Sequence, residues 1–418
     1  MKKNFALFAT VAALGMTACT EAPKENWTDC VLDVAACQLK QTAIELTDST
    51  AMPMPRCTWT GYDVDFLKRQ LEADVNVDSL HPVPGPERLG KRRLCGIVDW
   101  TSGFFPGSLW YAYELTGDEE LKAQAVRYTN LLYPIRQLTG THDLGFMINC
   151  AYGNALRLAP NDTIADVLIE TAETLSKRFD PQIGCIRSWD FGKWNYPVII
   201  DNMMNLDLLF NASKLSGNKK YYDIAVQHAR TTMKNHFRPD YTCYHVVSYN
   251  NDGTVESRGT HQGKNDESSW SRGQGWAVYG YTLCYRETKE TDFLQQAIHV
   301  ADMIMSRVQT NDSIPYWDYD APAAAETPRD ASAAAVTVSA MLELSTLAPD
   351  GQKYYRYAER LLKNLSGENY LAEKGTNNGY VLMHSTGSLP HGSEIDTSIN
   401  YADYYYLEAM KRYLDMQK

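Results

Sequence analysis

Apolar residues recur at the three- and four-residue spacing of amphipathic helices over most of the chain. The pattern predicts twelve helices, near residues 28–46, 103–116, 119–137, 143–158, 162–178, 199–215, 219–236, 272–287, 291–308, 330–347, 351–366 and 401–416. No Pro-, Gly- or Ser-rich linker separates these segments. We therefore expect an all-α fold with a single domain over residues 28–418.

Short polar turns join the predicted helices in pairs. Leu-Thr-Gly-Asp at 115–118 and Leu-Ser-Gly-Asn at 215–218 each combine a helix end, a turn residue and a polar N-cap. Equivalent joints occur at 158–161, 287–290 and 347–350. Twelve helices in six hairpins can stack as an open solenoid or close into an (α/α)6 barrel, a six-hairpin toroid.

The joints between hairpins are longer and rich in aromatic and polar residues. They cover residues 91–102, 140–143, 184–197, 243–271, 316–330 and 380–400. If the short turns lie at one end of a closed toroid, the long loops surround the other end. Functional residues are common on loops that a rigid scaffold holds, so we expect the site there.

Charge and missing motifs narrow the chemistry. The net charge of −11 argues against a nucleic-acid partner, which would require a basic face. The sequence contains no HExxH, GxSxG, Walker or dinucleotide-binding motif, and its nine histidines do not cluster. We therefore expect no metal and no cofactor. Carboxylates accompanied by aromatic residues remain, which is typical of enzymes that act on carbohydrates.

The first residues resemble a bacterial lipoprotein signal. A charged start and a short apolar stretch, residues 5–14, precede Ala18 and Cys19. We predict a signal peptide over 1–18, a lipidated Cys19 and a polar tether over 19–27, which would place the protein in the periplasm or at the outer membrane. The alternative is simple cleavage near Ala18 followed by release.

Eight cysteines follow Cys19 without the spacing of a zinc site. The sequence leaves their pairing open. Cys150 and Cys284 lie in apolar helical patterns, and we expect them to be small core residues.

Asp143 and Asp201 are the candidate catalytic carboxylates. Asp143 starts an apolar helix, where a carboxylate caps the helix and is held ionised by its dipole. Asp201 lies among apolar residues, where burial favours the protonated form. The alternative for Asp201 is a capping or structural role with a bond to Asn205. One ionised and one neutral carboxylate is the asymmetry that acid–base catalysis uses.

A third cluster combines GTHQG at 259–263 with WSRGQGW at 270–276. Arg272 and Trp276 are four residues apart, so on a helix they share one face. A ring that stacks on a sugar beside a guanidinium that binds a carboxylate would suit a uronic acid. The alternative is a core Trp and a surface Arg.

From about residue 28 onward, the chain resembles the unsaturated glucuronyl hydrolases of glycoside hydrolase family 88. The motifs that carry the resemblance are DWTSGFFPGSLWYAYELTGD (99–118), HDLGF (142–146), IIDNMMNL (199–206), GTHQG, WSRGQGW, YWDYDAP (316–322), RDASAAA (329–335) and ADYYYLEA (402–409). The unsaturated rhamnogalacturonyl hydrolases fit these motifs less well. The resemblance implies an (α/α)6 barrel without a metal.

The resemblance also implies which residues form the site. The catalytic aspartates of the family fall on Asp143 and Asp201. Its substrate-binding positions fall on Trp100, Trp189, His245, His261, Gln262, Arg272 and Trp276. Trp194 is a rival to Trp189, because the loop over 187–197 differs in length. Residues 384–388 lie where family members differ in their tolerance of sulfated sugars.

The activity implied is removal of a terminal 4,5-unsaturated uronic acid from an oligosaccharide made by a polysaccharide lyase. Its partner would be an oligosaccharide from heparin or heparan sulfate, chondroitin sulfate or hyaluronan. Two alternatives are a hydrolase of the rhamnogalacturonan type and a glycan-binding lipoprotein without catalysis.

Overall fold

Twelve helices make up most of the computed structural model, which describes residues 26–49, 51–61 and 89–418. They are α1 (Trp27–Glu45), α2 (Phe104–Thr116), α3 (Glu119–Leu131), α4 (π-helical over Gly145–Gly153 and α-helical over Asn154–Leu158), α5 (Asp162–Ser176), α6 (Asn202–Ser216), α7 (Lys219–His236), α8 (Ser271–Thr288), α9 (Thr291–Arg307), α10 (Ala331–Leu347), α11 (Gly351–Leu365) and α12 (Asn400–Asp415). Each predicted helix is present, with shifted ends in several cases.

The even-numbered helices form a closed inner ring. Each of α2, α4, α6, α8 and α10 packs against the next in that order, and α12 packs against both α10 and α2. The first residues of α8 and α10 are buried on every side, as expected of helices enclosed by others. The odd-numbered helices lie outside, each against its hairpin partner or, for α1, against α2 and α3. The fold is therefore the predicted (α/α)6 barrel, in its closed form.

The hairpin turns follow the predicted chemistry. Gly117 and Gly217 end α2 and α6 with left-handed backbone angles, φ 72° and 69°, which glycine adopts at little cost. The side chains of Asp118, Asn161 and Asn218 accept hydrogen bonds from the first turns of α3, α5 and α7. These joints define the base of the barrel, at the opposite end from the long loops.

Short strands between the helices were not predicted from the sequence. β1 (Met54–Thr58) pairs with β2 (Arg92–Cys95), and β3 (Phe179–Asp180) pairs with β4 (Cys185–Ile186), both antiparallel. β5 (Pro197–Ile199), β6 (Val246–Tyr249) and β7 (Val255–Gly259) form a three-stranded antiparallel sheet. Its strand β5 directly precedes α6, whereas β6 and β7 follow α7.

Three predicted helix boundaries were wrong for identifiable reasons. The helix expected from residue 199 begins at Asn202, because the apolar residues before it pair with β6. The helix expected over 119–137 ends at Leu131, and a 3-10 turn with Pro134 near its start follows. The helix expected from 143 begins at Gly145 and is π-helical at first.

The core prediction for two cysteines is confirmed, since Cys150 and Cys284 are both buried. Among the described helices, none is long and apolar enough to cross a membrane. The predicted signal peptide, Cys19 and most of the tether lie outside the described residues.

Candidate active site

The long loops meet over the N-terminal ends of the inner helices, an end we call the mouth. The backbone N–H of His142, before α4, donates to the Ser188 carbonyl at 3.1 Å. The N–H of Ile200, before α6, donates to the His245 carbonyl at 3.0 Å. These links bring both candidate aspartates and the loops around them into one site.

Asp143 lies at the start of α4 without capping it. Its carboxylate accepts a hydrogen bond from the Thr141 hydroxyl at 2.6 Å and lies 3.2 Å from Nε2 of His142. Burial raises the pKa of Asp143, while His142 and Thr141 lower it and Asp201 adds a further rise. The expectation that Asp143 caps α4 was therefore wrong, because its carboxylate turns towards its own loop. Its ionised state stays a prediction.

Asp201 precedes α6, and its side chain also makes no cap hydrogen bond. Nor does it bond to Asn205, whose amide oxygen accepts the Phe146 N–H at 3.0 Å instead. Asp201 is 6% exposed, and its Oδ2 lies 3.4 Å from Nε2 of His245. The capping and structural alternatives for Asp201 are thus not supported.

His245 is held in one orientation by a tight turn. Its Nδ1 accepts the backbone N–H groups of both His261 and Gln262 at 3.1 Å. A ring nitrogen that accepts two N–H groups carries no proton, so the ring proton sits on Nε2, which faces Asp201. The GTHQG turn therefore fixes the tautomer of His245, and the imidazole presents an N–H to the carboxylate.

Aromatic side chains continue outward from His245. The Trp189 ring centroid lies 5.3 Å from His261, 5.4 Å from Trp194 and 5.0 Å from Phe191, whose plane is nearly parallel. Burial, followed by His391, lowers the pKa of His261 to about 3, so this ring is neutral. The candidates Trp189 and Trp194 are thus part of one cluster. Phe191 was missed, and a single aromatic residue in a polar loop gave no signal for it.

Trp100 lies on the other side of the site, half-buried before α2. Its ring contacts Phe146, three residues after Asp143, with centroids 5.6 Å apart, and Tyr401 at 5.1 Å. Trp100 and the Trp189 cluster therefore approach the two aspartates from different loops.

Arg272, on α8, has no exposed surface. Its guanidinium donates to the Asp330 carboxylate at 2.8 Å and to the carbonyls of Thr386 and Gly387, both at 2.6 Å. Its Nε has no hydrogen-bond partner among the described residues. The protein itself supplies the carboxylate that we expected from a sugar, so a contact between Arg272 and a sugar stays a prediction.

Trp276 is also fully buried, one turn further along α8. Its ring lies 5.3 Å from Phe146 and 5.4 Å from Tyr405. In the structure it is a core residue beneath the mouth, as the alternative interpretation proposed, and its contact with a sugar stays a prediction.

The loop over 384–397 covers this part of the mouth. The Gln262 amide donates to the Gly387 carbonyl at 3.2 Å, and Arg272 binds the same carbonyl. Glu394 is buried against Arg56 at 2.5 Å, and Arg56 also pairs with Asp99. This ion-pair cluster was missed, because its members are far apart in sequence.

Within the described ranges, no group of three or more His, Cys, Asp or Glu side chains has the arrangement of a metal site. The site instead offers two carboxylates, a histidine N–H and aromatic rings, which are groups suited to proton transfer to a sugar.

Comparison with known proteins identifies the family. The model described as Glycosyl Hydrolase Family 88 matches residues 94–416. The chain belongs to glycoside hydrolase family 88. Within family 88, the chain is 47% identical to the unsaturated glucuronyl hydrolase of Formosa agariphila, over 75% of this chain and 80% of that one. It is 31% identical to the unsaturated chondroitin disaccharide hydrolase of Streptococcus pyogenes, over 76% and 81%.

Solved structures of family 88 agree with this assignment. An unsaturated glucuronyl hydrolase specific for heparin superposes with a TM-score of 0.84 at 46% identity, over 94% of this chain and 98% of that chain. The unsaturated glucuronyl hydrolase from Bacillus sp. GL1 gives a TM-score of 0.79 at 26% identity, over 92% and 96%. A separate domain of unknown function matches residues 1–73. The chain is an unsaturated glucuronyl hydrolase, and these findings favour that interpretation over a hydrolase of the rhamnogalacturonan type and over a glycan-binding lipoprotein without catalysis.

Proposed function

We propose that the protein removes the terminal 4,5-unsaturated uronic acid from glycosaminoglycan oligosaccharides that lyases produce. Its membership of family 88 and its similarity to unsaturated glucuronyl hydrolases support this activity. The observation that carries the mechanism is the placement of Asp201. Its carboxylate is buried at the mouth, is used by no helix cap, and lies 3.4 Å from the oriented N–H of His245.

Asp201 is the general acid and base of this reaction. The C4=C5 bond of the sugar is an enol ether, so a proton given to C4 leaves a cation at C5 that the ring oxygen stabilises. Water then adds to C5 and returns a proton to Asp201. The hemiketal at C5 opens to a ketone, and the hemiacetal that this leaves at C1 releases the next sugar. General acid–base catalysis of this kind contributes roughly 10²–10⁴-fold.

His245 and Asp143 support Asp201 from two sides. The Nε2–H of His245 faces Oδ2 of Asp201 at 3.4 Å, which leaves Oδ1 for proton transfer. Asp143 accepts a hydrogen bond from the Thr141 hydroxyl and lies beside His142. Its carboxylate can bind sugar hydroxyls and stabilise the developing cation. Trp100, Trp189, His261 and Gln262 surround the two carboxylates and bind the unsaturated sugar in this proposal.

The direct test uses the enol ether itself as the reporter. Purified protein is mixed with unsaturated disaccharides from heparin, chondroitin sulfate and hyaluronan, and the ultraviolet absorbance of the double bond is followed. We expect the absorbance to fall for at least one disaccharide and, in deuterated water, deuterium to appear at C4 of the product. Cleavage without deuterium at C4 would falsify the hydration mechanism, and no loss of absorbance with any substrate would refute the activity.

We also propose that the protein is exported and anchored through a lipid on Cys19. The charged start, short apolar stretch and Ala18–Cys19 junction support this location. Mass spectrometry of membrane-extracted protein should find an acylated Cys19 at the mature N-terminus. A soluble mature form that starts elsewhere would refute the proposal.

A further inference from the structure

Phe191 is an exposed aromatic residue beside the candidate active site. Its side chain is 57% exposed, whereas Trp189, the residue expected to stack on a sugar, is only 7% exposed. The two rings lie nearly parallel, with an interplanar angle of 15°. Phe191 therefore stacks on one face of Trp189 and presents its own ring to the solvent.

The backbone just before Phe191 is held in place by ion pairs of Asp190. The Asp190 carboxylate receives two hydrogen bonds from Arg178, both at 3.0 Å, and lies 3.2 Å from Arg187. These bonds hold the residue next to Phe191 against the body of the barrel. An exposed ring on a fixed backbone loses little conformational freedom when it binds a ligand.

The part of the loop that follows Phe191 in the chain is also held in place. The Asn195 amide donates to the Tyr249 carbonyl at 3.2 Å, and the Tyr196 hydroxyl donates to two backbone carbonyls at 2.9 Å. Between the two anchors, Gly192 has a φ of +83°, and a Cβ there would lie 2.8 Å from the Trp194 ring. Only glycine fits at position 192, so the turn and the position of Phe191 depend on Gly192.

An uninterrupted row of rings joins Phe191 to the catalytic candidates. His245, beside Asp201, lies 6.5 Å from Trp189 and 6.4 Å from His261 between ring centroids. Phe191 lies a further 5.0 Å from Trp189 and 6.0 Å from His261. Phe191 is thus two ring contacts away from His245, at an exposed end of this row of rings.

We infer that Phe191 forms an outer subsite for the third sugar of the oligosaccharide, two residues beyond the unsaturated uronic acid. This inference rests on the proposed function, which places the unsaturated sugar at Asp201. The apolar face of a pyranose stacks on the exposed face of Phe191. Substrates longer than a disaccharide gain this contact, and disaccharides do not.

The test compares unsaturated di- and tetrasaccharides made by one lyase from the glycosaminoglycan that the wild-type protein cleaves fastest. Phe191→Ala should lower kcat/KM for the tetrasaccharide about tenfold, which is the size of one lost aromatic contact. The loss should appear in KM, because a contact far from the reacting bond acts equally on ground and transition states. For the disaccharide, kcat/KM should change less than about twofold.

Two further variants separate stacking from general disturbance. Phe191→Trp should keep the preference for the tetrasaccharide, since it keeps an exposed ring. Tyr133→Ala removes another exposed ring, which lies on the 3-10 turn after α3. This variant should leave kcat/KM for both substrates unchanged. Equal losses on both substrates, or no loss in Phe191→Ala, would overturn the outer subsite while leaving the proposed function intact. A wild-type protein that cleaves neither substrate would overturn both.

Discussion

Two aspartates on or next to the same helix have opposite surroundings at the two ends of the barrel. Asp201 precedes α6 at the mouth, and apart from the 3.4 Å approach of His245 its Oδ2 has no hydrogen-bond partner among the described residues. Asp207, within α6, faces the base, where it binds Arg286 at 2.8 Å and the Asn149 amide at 3.0 Å. Within about two helical turns, the chain therefore places one carboxylate without a hydrogen-bond partner on Oδ2, that of Asp201, and one that binds two partners, that of Asp207.

The groups around each aspartate follow the same division. A cavity of about 540 Å³ opens at the base, and Glu408 there accepts hydrogen bonds from Tyr111, Tyr279 and Ser339. At the mouth, Nε2 of His245 and Nε of Arg272 have no hydrogen-bond partner in the described part of the chain. Buried polar atoms are rarely left unsatisfied unless they serve a function. The difference indicates that the base is built for stability and the mouth for a ligand.

Exchanging each aspartate for asparagine tests this division most strongly. Asp201→Asn is nearly isosteric and removes proton transfer, so turnover of an unsaturated disaccharide should fall by at least about 10²-fold. Its melting temperature should stay the same or rise, because asparagine fills the same space and carries no charge that burial could penalise. Asp207→Asn is the matched control on the same helix and should keep turnover within about twofold. Equal activity of the two variants would contradict the assignment.

Asp143→Asn should also lose most turnover, and its stability should report on the carboxyl group. Burial raises the pKa of Asp143 above its ordinary value of 3.8. The folded state therefore holds this proton longer than the unfolded state, and the stabilisation present below 3.8 is lost as pH rises through the folded pKa. Asparagine does not titrate. As the pH rises from 3.8 through the folded pKa, the melting temperature of the variant should therefore increase relative to that of the wild type. Thermal unfolding at several pH values would measure this difference. A difference that does not depend on pH would contradict the raised pKa.

Arg272→Ala should act on stability first, because Arg272 binds groups of the protein itself. It leaves the buried Asp330 carboxylate unpaired and frees the carbonyls of Thr386 and Gly387. Breaking a buried ion pair costs about 3–5 kcal/mol of unfolding free energy. Denaturant unfolding would measure it, with Arg356→Ala on the exposed side of α11 as the control. An unchanged unfolding free energy with a raised KM would instead support direct binding of the sugar.

The smallest effect is expected in the loop over 384–397. His384 lies 2.6 Å from Asp396, and this hydrogen bond raises the pKa of His384 above 6.5. The pair stabilises the loop fully below pH 6.5, and this contribution is lost as pH rises through the folded pKa. Asp396→Asn should therefore speed hydrogen exchange in the loop at pH 6 and make little difference at pH 9. Equal exchange in both proteins at pH 6 would argue against the pair.

The regular part of the fold was predictable because it depends on local signals. Apolar spacing marked the helices, and residues such as Gly117 and Asp118 marked the hairpin turns. The strands were not predictable in this way. The apolar run before Asp201 suits a helix or a strand equally, and the pairing of β5 with β6 decides between them.

The site was predictable in its members and less so in their arrangement. Motifs pointed to His245 and His261, but the sequence could not show that a turn fixes the His245 proton opposite Asp201. The bond from Arg56 to Glu394 spans 338 residues, and no local pattern signals such a partner. Spacing placed Arg272 and Trp276 on one helical face, while their burial depends on the surrounding loops.

The closure of the inner ring by α12 has a consequence for how the chain is made. α12 follows the other described helices in chain order and is therefore made after them, yet it fills the gap between α2 and α10. The hydrogen bond from Tyr111 to Glu408 joins residues 297 positions apart. Contacts of such long separation form late and slow the acquisition of structure. Until α12 arrives, the nascent barrel is a crescent with exposed apolar walls, the stage at which chaperones are most needed.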